Sequence, residues 1–218
     1  MKFSVTIKQH KLRIIFYTFM FLLSVYAFLI EPHWLLVKNI KLSLKPQYRL
    51  VHITDIHFHG DESYLKKIVS IINNLSPDFV CFTGDLVDEK EKLNQALNIL
   101  EKINCPLFGV PGNHDYWSGV SFESINSSLE TTGGLWLVDQ NTKFKDLYIT
   151  GLAHETYKQI KEADKSFQKR LLLCHYPAII DQIENEKYDL IFSRTLPWWA
   201  SSFTNIGSIE STIWCRKI

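Results

Sequence analysis

The sequence has no C-x-x-C pair. Its four cysteines, Cys81, Cys105, Cys174 and Cys215, stand far apart, which gives no footing for a dithiol redox motif or a paired-cysteine zinc site. Cys81 and Cys174 lie inside apolar runs and read as core packing. Charge of one sign is also lacking. Lys and Arg number 24 against 23 Asp and Glu, a net charge of +1, so no nucleic acid or strongly acidic partner is expected. No internal repeat or low-complexity stretch is present, which excludes a solenoid. No small-x-small cleavage site follows the N-terminal apolar run, and no histidine occurs after His175.

What is present describes an ordinary folded chain, 46% hydrophobic and 22% charged over 218 residues, long enough for one domain and an accessory segment. Lys2, Lys8, Lys11 and Arg13 precede an uncharged run rich in Phe, Leu and Ile at 14–30. Its length is near the lower limit for a membrane helix, about 17 to 25 residues. An uncleaved transmembrane anchor, a cleaved signal peptide and a buried helix are the readings to weigh. Glu31-Pro32-His33-Trp34 makes a poor cleavage site and favours the anchor. The basic flank places the N-terminus in the cytoplasm and the main domain outside it. The expected organisation is a cytoplasmic basic N-terminus at 1–13, an anchor at 14–30, a connector at 31–47 with an edge-strand pattern at Ile40, Leu42 and Leu44, a domain at 48–193 and a tail at 194–218.

Within 48–193 apolar runs alternate with segments of helical spacing. Strands are expected at 50–53, 79–83 and 106–110, with helices at 63–74 and 91–103 between them. Strand, helix, strand, helix, strand implies an α/β fold with a largely parallel sheet. A helix is expected at 121–131, then strands at 135–138 and 144–150 joined by a turn at Gln140-Asn141-Thr142. A polar helix at 155–168, a strand at 171–174, a short helix at 178–184 and a last strand at 188–192 complete the pattern.

Polar clusters recur where these strands end: Asp55 and His57, Asp85 and Asp88, Asn113 with His114 and Asp115, and His175. Open α/β sheets place ligand sites at the carboxyl ends of their strands. Carboxylate, amide oxygen and imidazole together suit hard or borderline divalent ions. Gly84 and Gly112 allow the tight backbone turns that aim such side chains inward. A lone Asp is usually a cap and a lone His usually a core residue, but coincidence at every strand end is not explained that way.

The motifs D-x-H (Asp55, His57), G-D-x-x-D (Gly84, Asp85, Asp88) and G-N-H-D (Gly112 to Asp115), with the later strand-end His175, resemble the calcineurin-like metallophosphoesterases. Together with the apolar N-terminal run, Gly112-Asn113-His114-Asp115-Tyr116-Trp117 looks most like the membrane-anchored bacterial branch. The resemblance implies a four-layer αββα sandwich holding two divalent metal ions, of manganese, iron or zinc. It implies that Asp55 and His57 bind the first metal, Asp85 bridges both, and Asn113 and His175 bind the second. His114 would act as acid or transition-state stabiliser on the leaving oxygen, with Asp88 and Asp115 behind the ligands. The implied reaction is hydrolysis of a phosphodiester or pyrophosphate by hydroxide activated between two cations roughly 3.5–4 Å apart. The substrate would be a phosphoester, in that branch a nucleotide-linked lipid. His52, His59 and His154 match no family position and read as structural or solvent-facing.

The pattern breaks after Ser193. The family continues with G-H-x-H-G-G, whose histidines complete both metal shells, whereas this chain reads Arg194-Thr195-Leu196-Pro197-Trp198-Trp199. Tryptophan has one codon, so Trp198-Trp199-Ala200 is TGG-TGG-GCN, and reading from the second base gives Gly-Gly. The codons of residues 194–198 permit Gly-His-Ser-His in that same frame. The tail therefore reads as a shifted frame, with a natural divergent tail as the alternative, the domain as C-terminally truncated and lacking edge strands, and this copy as an impaired enzyme. The alternatives are a catalytically dead product keeping weak metal binding or an interaction surface, and a one-metal module using Asp55, His57 and Asp85.

Overall fold

Leu50, Val51 and Ile53 are wholly buried, and an apolar run of this kind folds as an interior strand covered on both faces. In the computed structural model of the chain it forms β1 (Tyr48–Ile53). The structure describes residues 2–27, 35, 37–40, 47–153, 167, 169–178, 188–194 and 209–215. β1 pairs in parallel with β2 (Phe79–Phe82), β2 with β3 (Leu107–Gly109), and β3 with β4 (Leu135–Trp136). A second sheet has the order β5-β6-β7-β8, from β5 (Gln140–Phe144), β6 (Leu147–Leu152), β7 (Lys169–Cys174) and β8 (Leu190–Phe192). Only β5 runs antiparallel in it. The fold is thus mixed α/β with one parallel and one mixed sheet.

The N-terminal helix α1 spans Lys2–Val25. Among the described residues no helix is long and apolar enough to cross a membrane. This departs from the anchor expected at 14–30. The helix begins inside the basic segment, so Lys8, Lys11 and Arg13 share it with the apolar run, and residues 28–30 lie outside the described residues. The compact unit containing α1 is separate from that formed by 36–216. In the connector, 37–40 form no strand, and 41–46 lie outside the described residues.

In the larger unit, α2 (Glu62–Leu75) links β1 to β2. Asp61 caps it by accepting from Tyr64 N, and Leu65, Ile68, Val69 and Ile72 form its buried stripe. A 3₁₀ turn at Lys90–Lys92 leads into α3 (Leu93–Leu100), shorter than the helix expected at 91–103. The G-N-H-D stretch past β3 winds into a one-turn helix, α4 (Asn113–Trp117). α5 (Phe122–Thr131) starts on Ser121, whose hydroxyl accepts from Ser124 N.

The two sheets share one core. Leu50, Phe79, Cys81, Phe108 and Val110 from the first pack with Leu147, Ile149, Leu171, Leu173, Leu190 and Phe192 from the second. Burial raises the pKa of the Cys174 thiol to about 12 and pushes that of Cys81 up as well, as inert core thiols require. The second sheet's outer face carries Tyr148, Leu152, Leu172 and Cys174. Of the helices expected at 155–168 and 178–184, only Phe167, which packs on this face outside any helix, and Ala178, in a short turn, are among the described residues.

Two expectations are corrected. Gln140, Asn141 and Thr142 are not a turn. They form the edge strand β5, opposite Gly151, Thr150 and Ile149. The chain reverses instead at Lys145, in the left-handed region at φ 55°. The tail, expected to leave an open edge, supplies β9 (Ile209–Cys215), which pairs in parallel along β1. An unpaired edge captures any β-competent run, so this pairing reports on the edge of β1 and not on the origin of the tail.

His52 on β1 sits between the sheets. Its Nε2 lies 2.8 Å from Thr83 Oγ1, and its ring is 5.0 Å from that of Phe192. Burial is the main cause that lowers its pKa from 6.5 to about 3, against the opposing charge of Asp55. The unfolded chain binds the proton that the folded chain refuses, so this contribution to stability is whole above pH 6.5. It is lost as the pH falls from 6.5 towards 3, by about 1.4 kcal/mol per unit. Urea melts at pH 7 and pH 5 should show this loss in the wild type and a flatter dependence in His52→Asn. Equal slopes in the two proteins would contradict it.

Candidate metal centre

Parallel pairing brings the carboxyl ends of β1, β2 and β3 to one edge, and backbone bonds continue past the strands. Asp55 N donates to Gly84 O at 3.0 Å, His57 N to Asp85 O at 2.9 Å and Phe58 N to Leu86 O at 2.8 Å. These bonds hold three functional residues in the left-handed region: Asp55 at φ 53°, His57 at 43° and Asp85 at 61°. Such backbone costs about 1–3 kcal/mol per residue and gathers at functional sites.

Asp115 braces the turn. Its Oδ2 accepts from Asp85 N and Gly112 N, both at 2.8 Å, and its Oδ1 from Leu86 N at 2.9 Å. Burial raises its pKa to about 6 against these opposing bonds. His114 N donates to Asp85 Oδ1 at 2.9 Å. Asp85 is wholly buried, yet its Oδ2 accepts no hydrogen bond. His175 Nε2 and His57 Nε2 lie 3.4 and 3.5 Å from that oxygen. A buried carboxylate oxygen without a donor is costly unless something positive completes it.

The imidazoles are turned to suit. His175 Nδ1 is 2.7 Å from Thr83 O, and a carbonyl only accepts, so Nδ1 carries the hydrogen. In the neutral ring Nε2 then offers a lone pair towards Asn113 Oδ1, at 3.1 Å, and Asp85 Oδ2. Three acceptors converge, and a cation satisfies all of them. His57 Nδ1 lies 2.7 Å from Asp88 Oδ1, leaving Nε2 for Asp85 and, at 3.9 Å, Asp55 Oδ1. A bond to Asp55 is the largest cause raising the His57 pKa to about 9; burial opposes it and Asp88 adds to it. Burial works to raise Asp55, but bonds to His57 and Thr54 and the charges of Arg194 and His175 hold it below the ordinary carboxylate value.

All the predicted residues come together here. Asp55, Asp85 and His175 form one group able to hold a metal, and His57, Asp88 and His114 form a second, more open one. Their chemistry fits divalent ions. His114 Nδ1 is 2.5 Å from Asp88 Oδ1, and its ring lies against His57 and the 75%-exposed Trp117. Phe58 is buried packing. Sequence reasoning missed several neighbours. Thr83 acts through a carbonyl, which side-chain identity does not signal. Thr54 Oγ1 donates to Asp55 Oδ2 at 2.8 Å, and His59 Nε2 is 3.0 Å from Asp88 Oδ2. Arg194 Nε is 3.2 Å from Asp55 Oδ1; its position directly after a strand was the signal that could have found it. His154 lies outside the described residues.

The family model for calcineurin-like phosphoesterases matches residues 48–213, past the expected boundary at 193. An uncharacterised metallophosphoesterase of Campylobacter jejuni is 28% identical over 69% of this chain and 44% of its own length. The UDP-2,3-diacylglucosamine pyrophosphatase LpxG of Chlamydia muridarum is 34% identical over 47% of this chain and 36% of its own. The chain thus spans less than half the length of these relatives. The crystal structure of TT1561 of Thermus thermophilus superposes with a TM-score of 0.52 at 12% identity, covering 76% of this chain and 87% of that one. That likeness bears on fold alone.

A Cβ on Gly112 would fall 2.2 Å from Asp85 Oδ1 and 2.7 Å from Asp85 N. Gly112→Ala should therefore displace the Asp85 carboxylate and cost about 1–3 kcal/mol, read as a lower denaturant midpoint. A midpoint within about 0.5 kcal/mol of wild type would show that the turn has slack the structure does not have.

Proposed function

The chain belongs to the calcineurin-like phosphoesterase family, and on that premise we propose a centre for hydrolysing a phosphodiester or pyrophosphate, with divalent cations held by Asp55, His57, Asp85, Asn113 and His175. The observation that carries this reading is the buried, unsatisfied Asp85 Oδ2 facing two imidazole nitrogens. Divalent cations there supply Lewis-acid charge that polarises phosphoryl oxygens and makes water acidic enough to attack phosphorus. The chain's own residues do the rest. Thr83 O and Asp88 fix which nitrogen of His175 and His57 is bare. Asp88 also holds His114 at the mouth, where its ring gives a proton to the leaving oxygen. The mixed nitrogen and oxygen donors suit manganese, iron or zinc.

A nucleotide-linked lipid is the substrate class we favour. The LpxG relatives are named as pyrophosphatases of such a molecule, and exposed Trp117 beside His114 offers an aromatic face to a base or an acyl chain. Attachment to a membrane through α1 is part of the same proposal. It is supported by the basic flank and the exposed apolar residues of α1, including Ile14, Phe16, Phe19 and Leu22.

Restoring Gly-His-Ser-His at 194–197 by the other frame should give a chain that hydrolyses bis(p-nitrophenyl) phosphate with manganese, whereas the 218-residue chain turns over little. In the restored chain His114→Ala should keep its metal and lose about 10²–10⁴ in turnover. Comparable turnover from both chains, or metal loss on His114→Ala, would contradict these roles.

A further inference from the structure

We propose that the centre of this chain takes a single divalent cation, on Asp85, Asn113 and His175, and that the Arg194 guanidinium holds the place of a second cation beside Asp55 and His57. This rests on the phosphoesterase reading above and narrows its cation ligands, in the chain as it stands, to Asp85, Asn113 and His175.

The two halves of the site are not equivalent. Around Asp85 an acceptor stands unsatisfied and buried, with His175 Nε2 3.4 Å away and Asn113 Oδ1 against the same nitrogen. Among the described residues no Lys or Arg is paired with Asp85, and His57 Nε2 stands 3.5 Å from Oδ2, beyond a direct hydrogen bond. Around Asp55 both oxygens are already engaged. Oδ2 accepts from Thr54 Oγ1 at 2.8 Å, and Oδ1 faces Arg194 Nε at 3.2 Å. Arg194 is not there by a loose reach from the surface. It follows β8, and its backbone N donates to His175 O at 3.1 Å. The strand end that delivers His175 is therefore tied to the backbone that carries the guanidinium.

A guanidinium stays charged at any working pH and is weakly hydrated, so it is a durable partner for a carboxylate. A divalent cation arriving at Asp55 must part this pair and then sit near its released charge. Arg194 is 47% exposed, so water and salt screen the effect, and the handicap should be modest, about five- to tenfold in affinity. The same exposure leaves the guanidinium facing solvent, where its fork suits a phosphoryl oxygen. The positive charge offered to a phosphate is then one cation plus one arginine.

The test uses the full chain, stripped with EDTA and dialysed against manganese, with metal content counted and the spin state read by electron paramagnetic resonance. The wild type should bind one manganese per chain, with the six-line signal of an isolated ion. Arg194→Ala and Arg194→Gln should admit a second ion at about five- to tenfold lower manganese than the wild type needs, with the signal of a spin-coupled pair. Arg194→Lys should behave as wild type. Two coupled ions in the wild type at the manganese concentration that first loads the second ion in the neutral variants would overturn the proposal, as would a single ion at unchanged affinity in both neutral variants. Asp85→Asn separates this failure from that of the cation centre. If the wild type binds no manganese while folded by circular dichroism, or if Asp85→Asn binds as well as wild type, the centre itself is misread and this inference falls with it.

Discussion

The structure depends on one buried carboxylate. Asp85 sits where β1, β2 and β3 end, and every local choice of backbone serves its position. One oxygen is held by His114 N; the other faces His57 and His175 without a donor. Holding a charged group in that state costs several kcal/mol unless a cation completes it. Gly112 and Gly84 leave the room it needs, since a Cβ would meet the Asp85 carboxylate at 2.2 Å from Gly112 and the Gly112 backbone at 2.3 Å from Gly84. Asp115 in turn holds the amides of Asp85, Leu86 and Gly112 in place. The core behind is closely filled, so the strain at Asp55, His57 and Asp85 is over-determined from β1, β2 and β3 together.

The second sheet also delivers residues to the site. His175 follows β7 directly, and Thr83, just past β2, fixes its tautomer across the gap between sheets. Arg194 lies two residues past β8, and its side chain crosses to Asp55 after β1. The shared core of Phe79, Phe108, Leu171 and Phe192 keeps the two sets of strand ends in one register. A site assembled this way joins residues far apart in sequence through short, mostly parallel strands, and it is rigid because its supports are strands and not loops.

Much of this was legible in the sequence. β1, β2, β3 and β7 are apolar runs bounded by Gly, Pro or charge, and their polar endings marked Asp55, His57, Asp85, Asn113, His114 and His175 before any coordinates. Asp88 and Asp115 were legible as supports. What escaped lies where side-chain identity says little. Thr83 works through its carbonyl. Gln140–Phe144 is polar because β5 is an edge strand, and its composition imitates a turn. α1 runs through Lys11 and Arg13 because a helix tolerates charged residues that face solvent. Arg194 and β9 escaped for another reason: the motif breaks after Ser193 and a shifted frame predicts no selected role beyond it, yet a charged side chain near a strand end and a β-competent run beside an open edge act by their physics whatever their origin.

The central claim is that Asp85 Oδ2 is a cation ligand. Crystals grown with manganese and measured for anomalous scattering address it directly, because they locate the ion without reference to turnover. The account predicts a peak within coordination distance of Asp85 Oδ2, on the side facing His175 Nε2 and Asn113 Oδ1. A peak confined to the open group of His57, Asp88 and His114, with Asp85 Oδ2 left bare, would contradict it.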